Sequence, residues 1–300
     1  MKAGILILSH ARARKVATIK ALRHAGYTGS YWLIVDDRDP QLELYQYAYG
    51  KRLITFSKDE YAKQVDEMFN PGRPQATPLY ARQAAWDIAE RLGLDVFLLL
   101  DDDYQYFWYV VHDERGLEPS YGAPIHRFDD IFRVFTETLV NMPPNVVCLA
   151  FCQSGDNVGK SLALEPKYLR KAMNAFFLMP SRRFDWRGIF NDDVCTVLDH
   201  TMRGKLFFTI PLVMLKQRPT QHVEGGISRL YRDYGTYAKS LYPVMLAPAA
   251  VRVEYVRSVS RVHHTINWNG LAPCILRENT RYPHGQLSLS LSQETCSTTI

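Results

Sequence analysis

The chain is short of cysteine, has no long apolar run and carries no strong excess of either charge. Five cysteines in 300 residues make an odd set without a CxxC pair, which excludes a disulfide-stapled scaffold. Cys148 and Cys152 lie in the apolar run VVCLAFC, where a free thiol packs as a small hydrophobe, and a reducing compartment is expected. No stretch of about 18 apolar residues occurs, so no membrane span is expected. The opening MKAGILILSHARARK is too briefly apolar for a signal peptide and reads as a first strand, so a cytoplasmic protein is expected. The net charge is +5, a mild excess that permits a polyanionic partner without requiring one. Internal repeats and obvious linkers are absent as well.

What is present is ordinary globular material, 47% hydrophobic and 22% charged, enough for a full core. Apolar runs at residues 5–8, 31–35 and 53–56 alternate with helical faces at 12–25 and 42–49. This rhythm predicts a parallel sheet covered on both faces. A Pro- and Gly-rich loop at 69–78 precedes a helix over 79–92, then the most apolar strand, 96–100. The second half is less regular. Helices are expected at 129–141, 166–175, 191–203 and 228–242, and strands at 146–152, 176–179 and 207–214. The Ser- and Thr-rich tail after residue 287 is expected to fray.

The strongest chemical signal is FLLLDDDYQYF, where an apolar strand runs into Asp101, Asp102 and Asp103. Ligands of open α/β folds bind at the carboxyl ends of strands. Two of three successive acids on an extended backbone project to one side, and a divalent cation relieves their repulsion. Carboxylate with phosphate oxygen suits Mg²⁺ or Mn²⁺. Read alone, the triplet also suits a solvated turn. A second cluster, Asn191-Asp192-Asp193, opens a helix, where acids complement the helix dipole whether or not they react. Near the C-terminus Arg252, Arg257, Arg261, His263 and His264 precede Trp268 and Asn269, a mixture suited to phosphate contact and base stacking, or to an ordinary charged surface.

The order of these motifs resembles a GT-A glycosyltransferase over roughly residues 3–240. More specifically, SHARARKVATIKAL, LLLDDDYQYF, GIFNDDVCTVL and GGISRLYRDYGTYAKSLYP resemble the phage TET-associated glycosyltransferases. The resemblance implies an α/β fold with a mixed, mostly parallel sheet flanked by helices over residues 1–245, and a basic C-terminal extension, 246–300, packed on it. It implies a UDP-sugar donor, a Mn²⁺ or Mg²⁺ cofactor, and 5-hydroxymethylcytosine in DNA as acceptor. By the same resemblance Asp101, Asp103 and His222 hold the metal, and Ser9, Arg12, Asp36, Arg82, Asp101 and Asp102 line the donor site. Asp193, or next to it Asp192, acts as general base on the acceptor hydroxyl. Arg257, Arg261, His263, His264 and Trp268 contact nucleic acid. Arg12 also suits a helix surface and Asp36 a turn. The absence of a GxxGxR-type loop after the first strand argues against nucleotidyl transfer. A protein or small-molecule acceptor, or a non-catalytic nucleic-acid-binding module, stays open.

Overall fold

The structure, a computed structural model, describes residues 1–69, 72, 76–112, 119–153, 172–173, 175–217, 230, 233–235, 237–256 and 261–271. The apolar runs of the first half become β1 (Ala3–Leu8), β2 (Tyr31–Asp36), β3 (Leu53–Phe56) and β4 (Val96–Asp101), all paired in parallel. The second half adds β5 (Tyr104–His112), β6 (Pro119–Pro124), β7 (Val146–Gln153), β8 (Ala175–Leu178) and β9 (Leu206–Gln217). Together they form a nine-stranded sheet in the order β3-β2-β1-β4-β8-β7-β9-β5-β6. β8 and β5 run against the others.

The pleat sorts the apolar residues onto two faces. Ile5, Ile7, Leu33, Val35, Leu98 and Leu100 point to one core with α1 (Ala17–His24) and α5 (Phe128–Asn141). Leu6, Leu8, Ile34, Phe97 and Leu99 point to the other, under α4 (Pro78–Arg91). α4 starts where the sequence puts a cap and a proline: the Thr77 hydroxyl accepts from the Leu79 N–H at 3.4 Å, and Pro78 takes the first helical position. Its buried Ala81, Ala84, Ala85 and Ala89 let the helix lie close on the sheet.

α2 (Leu42–Tyr49) matches its expected range, as β3 does, and α6 (Asp192–Thr201) falls inside its own. The first helix does not: it starts at Ala17 rather than residue 12, because side chains elsewhere capture the intervening backbone. The β5–β6 hairpin and the short α3 (Lys58–Ala62) were not expected. The Pro residues of β6 are tolerated because it is an edge strand. The expected helix at 166–175 lies almost wholly outside the described residues, and Ala175 opens β8 instead. Of the expected Tyr-rich helix, residues 228–229, 231–232 and 236 lie outside the described residues, 230 and 233–234 are helical, and its C-terminal part falls in α7 (Ala238–Leu246). Beyond it β10 (Val251–Val256) and β11 (Arg261–Ile266) form an antiparallel hairpin. Val251 and Leu271 pack with Val194 and Leu198 of α6, which joins this region to the main body. The tail after residue 287 is outside the described residues. Among the described residues no helix is long and apolar enough to cross a membrane.

Candidate active site

β1 has β2 on one side and β4 on the other, so the strand order reverses there and a crevice opens at their carboxyl ends. The register pairs Leu8 with Asp101, which brings the segment after β1 against the triple-Asp turn. Residues 102–103 turn toward β5 rather than continue extended, so the three acids do not alternate across one strand as expected. Asp102 turns inward: Ser9 Oγ donates to it at 2.5 Å and Arg12 at 2.7 Å. Tyr45 shares this network, its hydroxyl 2.6 Å from Ser9 Oγ and accepting the Arg12 N–H at 2.9 Å. Arg12 also lies 3.8 Å from Asp103. Thr18 clasps the turn itself, donating to the Asp101 carbonyl at 2.6 Å and accepting the Tyr104 N–H at 3.0 Å.

A second carboxylate group sits one strand over. His10 Nδ1 lies 2.9 Å from Asp36 and 3.0 Å from Asp39, and Lys58 Nζ lies 3.2 Å from Asp36. His10, Asp36 and Asp39 are the one described His/Cys/Asp/Glu group compact enough to chelate, their ligand atoms all within 4.8 Å. Burial opposes charge on His10, but hydrogen bonds to Asp36 and Asp39 outweigh it and push its pKa up to about 9. Burial likewise opposes ionisation of Asp36 and Asp39, yet the His10 contact, with Lys58 at Asp36, holds both below the usual carboxylate range. Two cations thus face two anions. Asp39 also accepts the Ala11 N–H at 2.7 Å and holds Ala11 at φ 53°, a left-handed conformation that stops α1 from starting earlier.

The third group joins the two acidic motifs. Gly188, at φ 86°, brings the chain so close to Cys195 that a Cβ there would stand 3.1 Å from its sulfur, and Asn191 at φ 51° then sets α6 off at Asp192. Arg82, 2% exposed on α4, reaches this helix start: one guanidinium nitrogen is 2.7 Å from Asp192 and another 3.7 Å from Asp101. The rings of Phe176 and Trp186 lie 5.3 and 5.2 Å from the guanidinium carbon. Arg82 is therefore paired with two carboxylates at a buried position. Burial pushes Asp101 up to about 7, with repulsion from Asp103 adding and Arg82 opposing. Burial and repulsion from Asp102 push Asp103 up to about 6 against Arg12. Asp192 is raised too, by burial above all. Asp193 is half-buried and accepts the Val194 N–H at 2.8 Å.

Residues 3–226 match the TET-associated glycosyltransferase family. The chain belongs to that family. Its name gives the reaction class, glycosyl transfer. No curated protein matches the chain. Among solved structures, S. aureus TarS 1-349 is 10% identical at a TM-score of 0.40, covering 71% of this chain and 60% of its own. TarS 1-349 in complex with UDP-GlcNAc is 10% identical at 0.44, covering 82% and 68%. GalNAc-T7 with UDP, GalNAc and Mn²⁺ is 9% identical at 0.39, covering 72% and 44%. The chain thus spans about 60% of the length of the first of these. At such values no property of those proteins transfers to this one.

In this member of the family the remaining sequence candidates fall into two sets. His222 and Arg257 lie outside the described residues, and of Arg261 only the backbone, in β11, is described. His264 is buried, its ring 4.4 Å from that of half-buried His263, and Trp268 packs into the apolar clusters under α4 and α6. His264 is thus enclosed and Trp268 partly so, whereas Arg252 and Tyr255 stand exposed on β10. Sequence reading missed His10, Thr18, Asp39, Tyr45 and Lys58. His10 and Asp39 flank the two strand ends closely enough to have been suspected; Tyr45 looks from sequence like any helix-face aromatic.

Proposed function

We propose that the protein transfers a sugar from a UDP-sugar donor to the hydroxymethyl group of 5-hydroxymethylcytosine in DNA. The observation that carries this reading is the link, through Arg82, between Asp101 at the end of β4 and Asp192 at the start of α6. Family membership supports the reaction class, and the association with TET-type dioxygenases expected of that family supports the acceptor.

Asp101 and Asp103 fit a hard divalent cation, Mn²⁺ or Mg²⁺. Asp103 Oδ1 is buried with no hydrogen-bond partner, and both carboxyls have raised pKa values, the mark of anionic oxygens short of positive charge. His222 is the third ligand of this reading. When bound, such a cation offsets the charge of a diphosphate leaving group. Ser9, Arg12 and Asp36 border the donor side, with Asp102 holding Ser9 and Arg12 in place. Asp193 takes the proton of the acceptor hydroxyl, since Asp192 is already engaged by Arg82. A base on the acceptor implies inversion at the sugar carbon. The target cytosine is flipped out of the helix to reach this depth, with Arg252 and Tyr255 of the hairpin, and the charges of Arg257 and Arg261, against the DNA.

The test is incubation with Mn²⁺, a panel of UDP-sugars and duplex DNA containing 5-hydroxymethylcytosine, followed by mass spectrometry of the nucleosides. The expected result is a sugar adduct that disappears with EDTA and with Asp103→Ala. Release of UDP without modified DNA would move the acceptor to a protein or small molecule. No turnover, with binding to duplex DNA that falls steeply with salt, would leave a binding module.

A further inference from the structure

We infer that Arg82 is a positioning residue that sets the donor-side carboxylate Asp101 and the acceptor-side carboxylate Asp192 at one fixed spacing. The inference rests on the functional reading above, because it assigns those two acids to the two halves of one reaction. Asp101 ends β4 and Asp192 begins α6, and no backbone element links them directly. One guanidinium bridges them, one nitrogen to each. A planar fork fixes the relation between two carboxylates in a way that a lysine ammonium on a flexible stem does not. Arg82 is itself held on every side. It lies on the buried face of α4 beside Phe176 and Trp186. Its neighbour Gln83 accepts the Trp186 N–H at 3.2 Å, and Thr77 at the start of α4 donates to the Ile189 carbonyl at 3.2 Å. The segment 186–189 leading into α6 is therefore tied to the same helix that carries the fork. Asp193, next in the chain, follows the placement of Asp192.

The division of labour has a chemical consequence. Asp192 spends its anionic oxygen on Arg82, so Asp193 is the carboxylate left to act on an acceptor. Arg82 works through both acids and touches neither substrate.

The experiment is a set of variants, Arg82→Lys, Asp192→Asn and the double variant, each assayed for transfer and for thermal unfolding. If Arg82 positions, Arg82→Lys lowers kcat for transfer by about 10- to 100-fold, with donor KM moving less than about threefold. Donor hydrolysis to free sugar persists. Asp192→Asn gives the same pattern, and the double variant is no worse than the poorer single one in kcat or in Tm, because the Arg82–Asp192 contact is already broken in each single variant. Multiplicative losses in the double variant would overturn the inference, as would a donor KM rise that accounts for the whole loss. Coupled Tm shifts with unchanged kcat would reduce Arg82 to a structural role and overturn it equally. A wild-type protein without turnover would instead remove the functional reading, and the positioning role with it.

Discussion

Two clusters of carboxylates sit at the carboxyl ends of the two parallel strands that flank β1, and their protonation behaviour is opposite. At the end of β2, Asp36 and Asp39 are held below the ordinary carboxylate range. At the end of β4 and the start of α6, Asp101, Asp103 and Asp192 are pushed above it. Burial penalises ionisation in both places and is the largest cause of the raised values. What differs is how far nearby positive charge offsets it. Asp36 and Asp39 have His10 and Lys58 at hydrogen-bond distance. Among the described residues, the ion pairs of Asp101, Asp102, Asp103 and Asp192 go to Arg12 and Arg82, and the carboxylates repel each other as well. An aspartate after a strand thus becomes a closed structural element or a reactive one according to its local cations.

Removing a cation from the poorer cluster is the sharpest way to break this contrast. Arg82→Met leaves Asp192 and Asp101 buried without their partner, and urea unfolding near neutral pH is expected to show a loss of about 3–5 kcal/mol. A loss below about 1 kcal/mol would mean that Arg82 is not what keeps those acids tolerable. Asp193→Asn comes next: fold and Tm stay close to wild type while transfer to 5-hydroxymethylcytosine falls about 10²- to 10⁴-fold. Comparable activity from the asparagine variant would take the base role away from Asp193.

The balanced cluster has its own signature. The folded pKa of His10, about 9, lies above its ordinary 6.5. Its stabilisation is therefore complete below about pH 6.5 and is lost as pH rises through about 9. His10→Gln is expected to cost roughly 1–3 kcal/mol at pH 6 and almost nothing at pH 10, compared by denaturant unfolding at the two pH values. A difference that grows toward pH 10 would reverse the sign and contradict a charged His10. The smallest effect is expected at Ala11. Glycine relieves its left-handed backbone but adds freedom to the unfolded chain, so Ala11→Gly shifts stability by less than about 1 kcal/mol.

Much of this was legible in the residues themselves. The strands β1 to β4 and the helices α2 and α4 follow from unbroken apolar runs, helical periodicity, and the Thr77-Pro78 start. Local chemistry decides them, and local chemistry is what a sequence displays. The triple aspartate after β4 and the pair at the start of α6 were visible for the same reason. The late start of α1 was not: residues 12–16 read as helix until Asp102, Tyr45 and Gln41 bind Arg12 and Ala13 from other elements. Nor was the placement of His264 and Trp268, since a basic, aromatic segment reads as surface until the hairpin folds it against α6.

By itself the sequence determined an α/β sheet with acids at its carboxyl edge, because pleat, period and cap are properties of neighbours along the chain. Only the tertiary structure decided which acids are already neutralised. His10 and Lys58 reach Asp36, and Arg82 reaches Asp101 and Asp192, across 26, 22, 19 and 110 positions of sequence, and such partnerships depend on strand order and helix packing rather than on any local pattern.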